Sequence, residues 1–145
     1  MAGNPLVAQG SLNRIKASVV WAHFPTFNVT APFLGKAGIS MGLEGEQTLL
    51  IPAMTGVVQS QEPYQIMSLS INLLKSQGLA AAYKLKSESD TNMGSGTIRP
   101  DSVTLGTYQI LNAAIESVRE LAFNGQDAGY VITIKGAYLI NSGMW

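Results

Sequence analysis

The chain has 145 residues, enough for one domain with a buried core, and carries nine basic and nine acidic residues, one histidine and no cysteine. Charged residues make up 12% of it, about half the ~25% of an ordinary soluble domain, and a neutral surface so poor in charge favours association. These counts exclude disulfides, thiolate chemistry and cysteine-bound zinc, and Lys and Arg scattered from Arg14 to Lys135 form no cluster to grip nucleic acid through its phosphates.

At the N-terminus, Met1–Pro5 lacks the basic-then-apolar start of a signal peptide, so no secretory leader is expected, and no window approaches the ~18 apolar residues of a membrane span. Ile15, Ala17, Val19 and Trp21 form an apolar row opposed by Arg14, Lys16 and Ser18, the period of a half-buried strand. His23, between Trp21 and Phe24, reads as a structural residue of that strand.

Residues 33–50 depart from globular patterning. Gly35, Gly38, Gly42 and Gly45 are interleaved with Ile39, Met41 and Leu43, leaving little bulk for a core. The stretch is either a flexible loop or an extended hairpin arm that orders against a neighbouring subunit, where its apolar side chains and strand edge find partners. Glu44 and Glu46 would share a face if extended, but with no histidine or third carboxylate nearby they read as solvated charge rather than as a metal site.

Further on, Met67, Leu69, Ile71 and Leu73 alternate with Ser68, Ser70 and Asn72, the clearest strand of the chain. After a Ser76 N-cap, Leu79, Ala82, Tyr83 and Lys86 recur at helical spacing, which predicts a short helix over Gln77–Ser87 whose apolar stripe closes the core. Ser87–Gly96, polar and glycine-rich, reads as the turn that ends it. Val103–Val118 is rich in β-branched and aromatic residues, with Gly106 as a bulge or break. A last strand pattern runs through Tyr130–Ile140, where Tyr130, Ile132 and Ile134 oppose Val131, Thr133 and Lys135.

The whole chain, 1–145, therefore reads as one mainly-β domain with a single helix. It offers no catalytic constellation. Gly94-Ser95-Gly96 lacks the lysine of a phosphate loop, and the aromatic residues are too dispersed for a stacking platform. No enzyme activity, cofactor or metal is expected.

From Val58 onward the element order resembles the tail tube proteins of long-tailed bacteriophages, those with contractile tails in particular. The resemblance is carried by the strand Gln65–Lys75, the short helix opened by Ser76-Gln77, the segment Thr97–Ser102, the long strand region Tyr108–Glu116, and the closing stretch from Leu121 through Tyr130–Gly136 to Tyr138–Asn141. It implies a two-sheet β-sandwich or partial barrel with one helix. It also implies hexameric rings that stack into a hollow tube conducting DNA, part of a virion assembled in the bacterial cytoplasm. The partners it implies are further copies of the chain, a tail sheath protein, a tape measure protein, a tail terminator and a baseplate hub. On that reading the 33–50 arm is the inter-ring or inter-subunit contact, through Phe33, Leu34, Ile39, Met41, Leu43 and Leu50. Ser68, Ser70 and Asn72 are then candidates to line the lumen, being small, polar and unable to trap phosphates.

A type VI secretion tube subunit shares that architecture and is the nearest alternative. A small β-sandwich binding module would want aromatics gathered on one face, an arrangement to which Trp21, Trp145 and the five tyrosines do not conform.

Overall fold

Alternation from Met67 to Leu73 produces the central strand of the molecule, with all four apolar residues fully buried. The computed structural model describes residue 6, residues 10–118 and residues 121–144; the Met1–Pro5 stretch, the Arg14 side chain and Trp145 lie outside the described residues. In chain order the elements are β1 (Ser18–Trp21), β2 (Leu34–Glu44), β3 (Thr48–Ala53), β4 (Gly56–Gln61), β5 (Tyr64–Leu74), α1 (Gly78–Ser89), β6 (Asn92–Arg99), β7 (Tyr108–Val118) and β8 (Gly129–Leu139).

Six strands form one antiparallel sheet in the order β1-β6-β7-β8-β5-β2, curled into a half-barrel, while β3 and β4 form a separate two-stranded sheet. The architecture is thus mainly β, a partial barrel with one short helix and an extended hairpin. One face of the sheet holds the core, built from Val19, Trp21, the β5 row, Met93, Ile110 and Tyr130, Ile132 and Ile134 of β8. Helix α1 contributes Leu79 and Tyr83, with Lys86 on the same buried stripe. The Lys86 ammonium lies 3.9 Å from the centroid of the Phe24 ring, which gives a buried cation an electron-rich face to rest on.

Several expectations change. The strand containing Val19 and Trp21 begins only at Ser18, because Arg14–Lys16 form a 3-10 turn stapled by the Asn13 side chain, and this leaves Ile15 exposed. His23 lies in the turn after β1 rather than in the strand. The helix N-cap is Gln77, without a side-chain cap bond, and not Ser76.

The largest change concerns Ser87–Gly96. Helix α1 ends at Ser89, and Asn92 onward is strand β6. Its glycines permit close approach rather than breaking the strand. A Cβ on Gly96 would stand 2.6 Å from Trp21 Cε3, and one on Gly94, whose φ is +72°, would stand 3.2 Å from His23 Cδ2. Gly106 does act as a break, at φ +69°, closing the Val103–Leu105 turn before β7 starts. In β7 the register slips between Leu111 and Ala114, with Asn112 at φ +52°, so the inward residues run Ile110, Ala113, Ile115 instead of alternating strictly.

Candidate assembly surface

The glycine-laced segment is not the projecting arm. β2 pairs with β5 from Ile39↔Ile71 to Glu44↔Ile66, and the extra residues around Gly38, at φ +65°, are taken up as a bulge after Leu34. Phe33, Leu34, Ile39 and Met41 pack against the core of their own subunit. They therefore spend part of their surface inside the chain, on a strand of the main sheet rather than on an arm projecting over 33–50. Leu43 and Leu50 do face outward.

The projecting element is the β3–β4 hairpin, residues 48–61, which turns tightly through Met54-Thr55 between Ala53 and Gly56. Cross-strand partners share a face, so Ile51 and Val58 stand together on one side and Pro52 and Val57 on the other. Leu49, Leu50, Ile51, Val57 and Val58 are all exposed, Leu50 by 58% and Val57 by 61%. The hairpin buries neither face against the half-barrel. An isolated two-stranded unit is marginal in water, and each aliphatic side chain left uncovered forgoes about 1.5–3 kcal/mol of burial. The local signal was present: two β-branched, apolar runs closed by a two-residue turn.

The hairpin is held at its root. Glu62 N–H donates to Gln47 O at 3.0 Å, and the Asn141 amide donates to both Gln47 O at 3.1 Å and Glu62 O at 2.8 Å. Gln65 Nε2 donates to Gly45 O at 2.8 Å and fixes the preceding turn. Asn141 takes the left-handed φ of +53° that its position requires, and a short polar side chain tolerates that better than most. These bonds aim the hairpin from a fixed base.

The middle of the sheet face opposite the core is small and polar, while Tyr64, Ile66 and Leu139 stand exposed toward one end of that face. Ser40 stands opposite Ser70, Gly42 opposite Ser68, and Ser68 and Ser70 stand opposite Lys135 and Thr133. Ser68 and Ser70 are half-buried on that face. Asn72 departs from the expectation for a channel-lining group. Its Oδ1 is closed off without a hydrogen-bond partner, wedged where Cβ atoms on Gly35 and Gly129 would stand 3.1 Å and 2.9 Å from it. Lys135 bridges the strands, 3.1 Å from Glu44 and 3.1 Å from Glu116. Hydrogen bonds to Glu116 and then Glu44 raise its pKa, so it stays protonated and held by two carboxylates.

Glu44 ends β2 and Gly45 turns the chain at φ +90°, so Glu46 lines the same open concavity as Glu44 from beyond the turn. Among the described residues no three His, Asp or Glu side chains stand close enough to hold a metal, and no helix is long and apolar enough to cross a membrane. No protein-family model matches the sequence, and no curated protein shows significant similarity to it.

Proposed function

We propose that this chain is a structural subunit whose copies close into hexameric rings and stack as the hollow inner tube of a contractile bacteriophage tail, through which DNA passes without being bound. The observation that supports this most directly is the β3–β4 hairpin, apolar on both faces and left exposed by the described residues of its own subunit. A second support is the sheet's unclosed form. β2 is an eleven-residue edge strand with no strand paired on its outer side among the described residues, an edge that soluble monomers ordinarily blunt or cover. A neighbour's strands laid along that edge would remove the liability and join half-barrels into a continuous wall.

On this reading the sheet face opposite the core, with Ser40, Ser68 and Ser70, lines the lumen. Its one lysine is occupied by Glu44 and Glu116, so a passing phosphate backbone meets no free cation there. The virion would be its location, and its partners beyond itself would be the sheath, the tape measure protein, the terminator and the baseplate hub. Sedimentation velocity of the purified full chain tests the proposal. Ring-sized and larger species growing with concentration are expected, and a single monomer boundary at every concentration would remove it.

A further inference from the structure

Two surfaces of the half-barrel carry opposite charge without internal partners. At the hairpin root, a concavity of about 280 Å³ is lined by Glu46, Glu62, Tyr64 and Gln65 together with Glu44. Glu44 is occupied by Lys135, whereas Glu46 and Glu62 have no ion-pair partner among the described residues. Gln65 is only 5% exposed, and with its Nε2 committed to Gly45 O, its Oε1 accepts no hydrogen bond. A buried acceptor left open beside two free carboxylates and a phenol ring marks a place for a planar cationic donor.

The complementary surface lies where the bulged part of β2 approaches the end of β6. There Lys36 and Arg99, both exposed, line one cavity of about 430 Å³ with Ala17, Tyr108 and the half-buried Asp101. Neither cation has an ion-pair partner among the described residues. The two concavities share no lining residue.

We infer that the hairpin root of one copy receives the basic seam of a second copy, with the Arg99 guanidinium entering between Glu46 and Glu62 toward Gln65 Oε1 and Lys36 flanking it. The inference rests on the tube reading, and it adds the polar register of one subunit contact. A guanidinium suits the site because its fork of N–H donors can serve two carboxylates and an amide oxygen at once, while the Tyr64 ring offers a face for stacking. Because donor and acceptor surfaces differ, the contact is head-to-tail and propagates from copy to copy. The apolar hairpin supplies adhesion, and the charge pairing selects which way the next copy sits.

The test is a charge exchange in the full chain. The variant Glu46→Lys/Glu62→Lys and the variant Lys36→Glu/Arg99→Glu should each fold, as judged by circular dichroism, yet need a concentration roughly tenfold or more above wild type to assemble. Mixed in equal amounts, they should assemble again, since each altered surface then meets an opposite charge in an alternating order. The milder Glu46→Gln/Glu62→Gln variant should show a smaller loss and serves if a reversed variant fails to fold. Wild-type assemblies joined by unaffected variants, or a folded pair that does not rescue on mixing, overturn this inference alone. A wild type that never assembles overturns both it and the tube reading.

Discussion

Trp21 and Tyr83 meet across the core: the indole Nε1–H donates to the Tyr83 hydroxyl at 3.0 Å, and that hydroxyl donates to Phe27 O at 2.6 Å. The relay ties the sheet's edge strand β1 to α1 and to the turn at Pro25–Phe27, and the Tyr83 ring meets Phe27 edge-on at 5.2 Å between centroids. Tyr83→Phe keeps the ring but orphans a buried N–H and a carbonyl. Chemical denaturation should register a loss of about 1–3 kcal/mol.

The same hydroxyl sets an alkaline limit. Burial raises the Tyr83 pKa well above its ordinary 10.0, against a smaller lowering by the Trp21 bond. The folded state therefore keeps the proton to higher pH than the unfolded chain does. The contribution is intact below pH 10.0 and declines as pH rises beyond it. Thermal melts between neutral pH and that region should stay level for this group and then fall, and the fall should be shallower in Tyr83→Phe.

Gly96 has no room for a side chain beneath the indole. Gly96→Ala would set a methyl 2.6 Å from Trp21 Cε3 and 3.2 Å from Val20 O, so ring or strand must shift. A destabilisation of about 1–3 kcal/mol is expected, measured by denaturant midpoint.

Asn72 and Gly129 should be coupled. Gly129→Ala alone presses on Asn72 Oδ1 at 2.9 Å, whereas Asn72→Ala removes both that contact and a closed-off acceptor. Unfolding of the two single variants and the double variant should give a coupling of about 0.5–3 kcal/mol, with the double more stable than the sum of the singles predicts.

The hairpin separates folding from assembly. Ile51→Asp with Val57→Asp places one carboxylate on each face of a unit that contributes nothing to the core. The melting temperature should stay close to wild type while assembly is lost. The same change at Ile39 and Met41, which pack on the core, should instead unfold the subunit.

Where the sequence obeyed one physical rule at a time, the fold was legible. Met67–Leu73 alternates because one face is buried, and Leu79, Tyr83 and Lys86 recur because one helical stripe is. Glycine misled wherever its role was nonlocal. Gly94 and Gly96 read as turn residues, yet they sit in a strand to admit His23 and Trp21, residues some seventy positions earlier in the chain. The glycines of 33–50 suggested a loop or an arm, yet Leu34–Glu44 joins the main sheet through a bulge, and the projection at 48–61 looks like any other apolar hairpin in sequence. Gln65 held a visible clue as the polar member of an otherwise apolar row, but the concavity it lines needs two turns distant in sequence to exist.

Negative-stain electron microscopy of the purified chain would show the assembled state itself. Ring-shaped particles and hollow tubes of constant diameter are expected, shortened or absent in Ile51→Asp/Val57→Asp. A uniform field of single small particles at high protein concentration would contradict the tube reading.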